Sequence, residues 1–261
     1  MTTNRLLVSA AAVALLLLSA FAPPPGKITV YLVGDSTLSI KDVKAYPETG
    51  WGMPFVFFFD ETVTVDNRAQ NGRSTKSFVA ENRWQPVANA LRAGDYVFIQ
   101  FGHNDEVATK KTYTPEADYK SYLVRFIAET RAKNAMPVLV TPVARRKFDA
   151  AGKVEETHAV YAEIVRATAR EQQVPLIDLD RESQALLQQY GVENSRQLFN
   201  QLAPGEHPNY PDGKEDNTHF NELGARKMAE IVLADIRTLK LELATRIVQR
   251  TTAKTVDPQA R

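Results

Sequence analysis

From Lys27 onward, short runs of β-branched and aromatic residues alternate with longer amphipathic stretches. "KITVYLVG" (27–34), "TVTVDN" (62–67), "DYVFIQFG" (95–102), "MPVLVTP" (136–142) and "VPLIDL" (174–179) have the length and composition of strands. Several are nearly continuous apolar runs, the pattern of parallel strands covered on both faces. Between them, helical periodicity runs over about 82–92, 116–134 and 157–172; in the second, Tyr119, Tyr122, Leu123, Phe126 and Ile127 recur at helical spacing. This alternation predicts a doubly wound α/β domain with right-handed crossovers. A last apolar stripe, Met228, Ile231, Val232 and Ile236, predicts a helix starting near Asn221. No repeat or linker divides the pattern, so a single domain is expected over 23–250, with a disordered tail at 251–261.

The first residues follow a different rule. Arg5 precedes an apolar run from Leu6 to about Ala20, and the small-residue pattern Ala20-Phe21-Ala22 closes it. That is the layout of a secretory signal peptide, expected over 1–22. The run falls short of the ~18 uncharged apolar residues of a spanning helix, although an uncleaved anchor is the alternative. The expected mature protein is exported, periplasmic or extracellular, and not held in a membrane.

Composition narrows the chemistry. Lys plus Arg number 32 against 31 for Asp plus Glu, a balance that points to neither a nucleic acid nor an anionic membrane as partner. Cys is absent, which removes disulfides, thiolate metal sites and a cysteine nucleophile.

Open α/β sheets carry their sites at the carboxyl ends of the strands. The first strand ends in "GDSTLS", the second runs into "NRAQNGRST", and the third ends in "FGHND". Each loop has an ordinary reading: Ser36 as a helix cap, Asn-Gly as a turn, Asn104 and Asp105 bonded to their own backbone. Three such loops after consecutive strands shift the weight towards a site. Acyl transfer needs a hydroxyl nucleophile, a base, a group that orients the base, and donors for the oxyanion. Ser36 offers the hydroxyl. Gly72 can present a backbone N–H at close approach, Asn104 a side-chain N–H, and Ser36 its own N–H. In "EDNTHF", Asp216 and His219 lie three apart on what reads as a loop entering the last helix, a spacing that brings both to one side of a turn.

These blocks closely resemble the SGNH (GDSL-type) hydrolases, in the family's order and across residues 34 to 219. The resemblance implies a three-layer α/β/α sandwich of flavodoxin-like type with a five-stranded parallel sheet. It also implies a Ser36–His219–Asp216 triad, an oxyanion hole from Ser36, Gly72 and Asn104, and no cofactor or metal. "YLVGDST", "GWGMPFVFFFD", "NGRSTKSF", "FGHND" and "TPVARR" are similar to the rhamnogalacturonan acetylesterase-like branch, which implies an acetylated plant cell-wall polysaccharide as substrate. A lipid, aryl or xylan esterase on the same fold is the alternative.

Further candidates surround this set. His103 could shape its loop or touch substrate, and Arg73, Arg145 and Arg146 could meet uronate carboxylates or simply be solvated. Trp51 could stack on a sugar or pack in the core. His158 reads as the start of a helix and His207 as part of a polar loop. A metal-dependent phosphoesterase could draw on Asp35, His103, Asp105, Asp216 and His219, but two-metal sites generally use more histidines and Ser36 would have no role. A non-catalytic carbohydrate-binding protein would require a broken triad, whereas every position is filled.

Overall fold

The computed structural model describes residues 26–248. The signal-peptide and tail expectations therefore fall outside the described residues. Five parallel strands, β1 (Ile28–Gly34), β2 (Val63–Asn67), β3 (Tyr96–Gln100), β4 (Met136–Val140) and β5 (Leu176–Ile177), form a sheet in the order β2-β1-β3-β4-β5. The order reverses at β1, where the chain crosses first to one neighbour and then back past itself to β3. Such a switch opens a crevice between the loops that follow β1 and β3.

Strand alternation sorts the core into two layers. Val30, Leu32, Phe98, Val138 and Val140 face one side, where they meet Trp51, Phe55 of α1 (Gly52–Phe55), Leu187 of α6 (Leu179–Asn194) and Met228, Val232 and Ile236 of α7 (Glu222–Thr238). Val33, Val97, Ile99 and Leu139 face the other. They pack on Phe78 of α2 (Thr75–Ala80), Trp84 of α3 (Trp84–Ala90), Leu123 and Phe126 of α4 (Glu116–Arg131), and Val165 of α5 (Ala159–Gln172). Burial of each such side chain contributes roughly 1.5–3 kcal/mol. Among the described residues, no helix is long and apolar enough to cross a membrane.

Two features lie outside the sequence expectations. Residues 179–194 form α6, which breaks at Gly191 (φ 72°). Residues 199–202 (β6, Phe199–Leu202) and 214–220 (β7, Lys214–Phe220) pair as an antiparallel ribbon. The expected loop carrying Asp216 and His219 is thus part of a strand. α7 follows at once, with the Asn221 side chain accepting from the Gly224 N–H at its start, 3.1 Å away.

Candidate active site

β1 delivers Asp35 and Ser36 to the crevice. The strand can run this close to β3 because Gly34 lacks a side chain: a Cβ there would lie 2.4 Å from the Gln100 carbonyl oxygen. Beyond it, the turn is held by a buried chain of donors. Trp51 Nε1 donates to Gln100 Oε1 (2.7 Å), Gln100 Nε2 to Thr37 Oγ1 (2.6 Å), and Thr37 Oγ1 to Asp35 Oδ1 (2.9 Å). Each link runs from a donor to an acceptor, which fixes the turn rather than merely filling space, while Asp35 Oδ2 is left buried without a partner among the described residues. Burial pushes the Asp35 carboxyl up, and the bonds from Thr37 pull it back only in part.

Ser36 Oγ lies 2.9 Å from His219 Nε2, and His219 Nδ1 lies 2.9 Å from Asp216 Oδ2. The three residues, from two blocks far apart in the chain, are therefore aligned in one relay. Its base end is built by an irregularity of the ribbon. Phe199 pairs with Phe220 and Gln201 with Glu215, so one residue between partners on β6 faces four on β7. The extra length, Asp216–His219, loops out of register. Asp216 Oδ1 accepts from the N–H groups of Thr218 (2.8 Å) and His219 (2.9 Å), which curls the segment and turns both side chains to one side. Burial alone would raise Asp216, but the His219 ring and these N–H groups outweigh it and hold the carboxyl well below the usual range.

The Ser36, Gly72 and Asn104 donors also border one cleft of about 430 Å³ with His219. Gly72 has φ +75°, and nothing lies within 4 Å of where its Cβ would stand. The left-handed backbone alone already favours glycine here. Asn104 is oriented from both ends: its Nδ2 donates to the Arg73 carbonyl (3.1 Å), and its Oδ1 accepts from Lys110 Nζ (3.0 Å). One N–H of that amide remains for a ligand.

The remaining candidates separate. His103 lines the cleft, is 4 % exposed, and packs edge-on to His158 with ring centroids 4.3 Å apart. Burial, then His158 and Arg145, push its imidazole well below the ordinary range, so it is a neutral wall. Arg145 also lines the cleft but is committed to Glu106 at 2.6 Å. Arg73 turns towards Glu81 (2.9 Å) and the Asn71 carbonyl, and Arg146 bonds Ser195 and Asn217. Trp51 is corrected outright: it is fully buried, packs edge-on to Phe55, and its indole is used within the nucleophile turn, so it cannot stack on a sugar. His158 precedes α5 and bonds Glu106, while His207 lines a larger apolar groove with Tyr46 and Phe57.

Sequence reasoning passed over Lys41, Glu48, Asn71 and Lys110. Glu48, Asn71 and Lys110 line the cleft, and Lys41 lies beneath it. Single lysines and acids in polar stretches read as surface, and only the Asn71-Gly72 turn offered a local signal. Of the proposed phosphoesterase ligands, Asp35 and Asp105 are bound to Thr37 and Thr75. Among the described residues, Glu48, Asp216 and His219 do lie within 4.8 Å of one another, as metal ligands can. However, Asp216 is engaged by His219, and Glu48 by Lys41 at 2.6 Å.

Comparison with known proteins places the chain in a family. Rhamnogalacturonan acetylesterase RhgT of Bacillus subtilis is 44% identical over 223 residues, 85% of this chain and 95% of that protein. Probable rhamnogalacturonan acetylesterase YesY of the same organism is 36% identical over 84% of this chain and 97% of its own length. The crystal structure of YxiM from Bacillus subtilis superposes with a TM-score of 0.71 at 26% identity, over 84% of this chain and 58% of that longer protein. The acetylxylan esterase Axe2 of Geobacillus stearothermophilus shares the fold, with a TM-score of 0.57 at 16% identity over 81% of this chain and 95% of that one. The GDSL-like Lipase/Acylhydrolase model matches residues 32–227, from inside β1 to the second turn of α7. The chain belongs to the GDSL-like lipase/acylhydrolase family and is a carboxylic ester hydrolase.

Proposed function

We propose that this protein is a serine esterase that removes O-acetyl groups from a plant cell-wall polysaccharide, rhamnogalacturonan or another pectin, after export. The observation that carries the reading is the relay Ser36 Oγ–His219–Asp216, with 2.9 Å at each link. His219 takes the Ser36 proton as the oxygen attacks the acetyl carbonyl, and Asp216 stabilises the imidazolium. The N–H groups of Ser36, Gly72 and Asn104 receive the oxyanion. His219 then protonates the departing sugar oxygen, leaving an acetyl-Ser36 ester. Water, deprotonated by His219, attacks that ester and releases acetate.

The polysaccharide is supported by two relatives named for rhamnogalacturonan, at 44% and 36% identity over most of both chains. Export is supported by the charged start and apolar run of residues 1–22. Acetate release from acetylated pectin, acetylated xylan and p-nitrophenyl acetate, measured side by side, tests both parts. The wild type should favour pectin, and Ser36→Ala should lose roughly 10⁴-fold or more on every substrate. A fully active Ser36→Ala would refute the mechanism; preference for xylan or the aryl ester would refute the substrate.

A further inference from the structure

Lys41 is a lysine in an improbable place. Its side chain is wholly buried, and its ammonium meets three acceptors from three segments. These are the backbone carbonyl of Ser36, Oδ1 of Asn71 (3.0 Å), and Oε1 of Glu48 (2.6 Å). An ammonium has three N–H donors, and all three are matched. Burial pushes Lys41 down from the ordinary lysine range, and Glu48 offsets part of that. Burying such a pair seldom adds to net stability, so its presence here calls for a reason at the site.

Two consequences of the contact supply one. Lys41 ties the carbonyl of Ser36 to Asn71, the residue before Gly72, so two parts of the proposed acyl-transfer geometry share one anchor. It also neutralises Glu48, whose carboxylate lies within 4.8 Å of both Asp216 and His219. Left uncovered, Glu48 would be a second acid beside the same imidazole, favouring its protonated form and competing with Asp216 for it. We propose that Lys41 is a positioning residue and the internal counter-ion of Glu48, holding Ser36 and the Gly72 loop in register and reserving His219 for Asp216. The proposal rests on the serine-esterase reading above.

The charges around His219 come from several elements. Asp216 and Lys214 lie on β7, Asp35 after β1, His103 after β3, His158 before α5, and Lys110 and Arg145 on the cleft walls. Asp35 and Asp216 also feel the Lys41 charge, so the double variant, which removes both the cation and the Glu48 carboxylate, serves as their control.

The test is the pH dependence of kcat/KM on p-nitrophenyl acetate, a probe that does not depend on the polysaccharide. Lys41→Met should lower kcat/KM by roughly 10²-fold through lost positioning. Its acid limb should move up by about one pH unit as the Glu48 carboxylate is uncovered. Glu48→Gln, which leaves the cation unpaired, should move the acid limb down. Lys41→Met/Glu48→Gln should return the limb to its wild-type position while the rate stays low. Should Lys41→Met not fold, the downward shift in Glu48→Gln carries the test alone. A fall in rate with no displacement of the limb in any folded variant would overturn the counter-ion role. Ser36→Ala run in parallel separates the two readings, because its full activity would remove the serine mechanism, whereas an inactive Ser36→Ala with unmoved limbs would remove only this proposal.

Discussion

At the scale of single residues, the donor set is where small changes have the largest expected effect. Asn104 is held between the Arg73 carbonyl and Lys110, so its free N–H is aimed before any ligand arrives. Asn104→Ala removes that donor and should lower kcat by about 10²–10³-fold with little change in KM, as read from initial rates on an aryl acetate. Gly72→Ala tests a different property. With φ +75° and open space around the Cβ, the cost is backbone strain, on the order of 1 kcal/mol, and not a clash. Lost activity with a nearly unchanged melting temperature is the expected result. The sequence exposed these positions well, because Ser36, Gly72 and Asn104 each follow a strand in a glycine-containing loop. It hid Lys41 and Glu48, whose identities carry no local signal and whose meaning depends on what the fold brings beside them.

The elements show the same division. Strands β1 to β4 were legible because a run such as Val97-Phe98-Ile99 must be covered on both faces. The β6–β7 ribbon was not legible. "KEDNTHF" is polar and half-exposed, with no period-2 apolar signal, and its pairing is set by tertiary contacts: Asn221 Nδ2 donates to the carbonyls of Gln197 (2.8 Å) and Phe199 (3.1 Å). Trp51 stayed open between sugar and core for a related reason, since a tryptophan near a site motif looks the same whether its indole meets a sugar or a buried glutamine. Its partner gives a direct prediction. Trp51→Phe leaves Gln100 Oε1 without its donor and should destabilise the fold by about 1–3 kcal/mol in denaturant unfolding. It should also lower activity, because Gln100 in turn orients Thr37 beside the nucleophile.

The whole molecule carries a pH dependence remote from the chemistry. Glu182 of α6 and Asp235 of α7 face each other where the two helices pack. Burial first, and then the neighbouring Asp235 carboxyl, raise Glu182 to about 7, and burial raises Asp235 as well. A raised acid binds its proton more tightly in the folded chain than in the unfolded one. Stability from this pair is therefore present in mild acid and is lost as pH climbs towards 7. Glu182→Gln should leave the unfolding free energy at pH 5 nearly unchanged and raise it at pH 8, by on the order of 1 kcal/mol after allowance for solvent screening. A calorimetric comparison at the two pH values checks it.

The ribbon that loops out Asp216 and His219 follows every strand of the main sheet, 183 residues after Ser36. On the proposed mechanism, a chain made from its amino end brings together Ser36, Gly72 and Asn104 long before it owns a base. On that mechanism no assembly of the earlier strands hydrolyses an ester until β7 turns back and α7 docks, and the first turnover reports that the last segment has found its place.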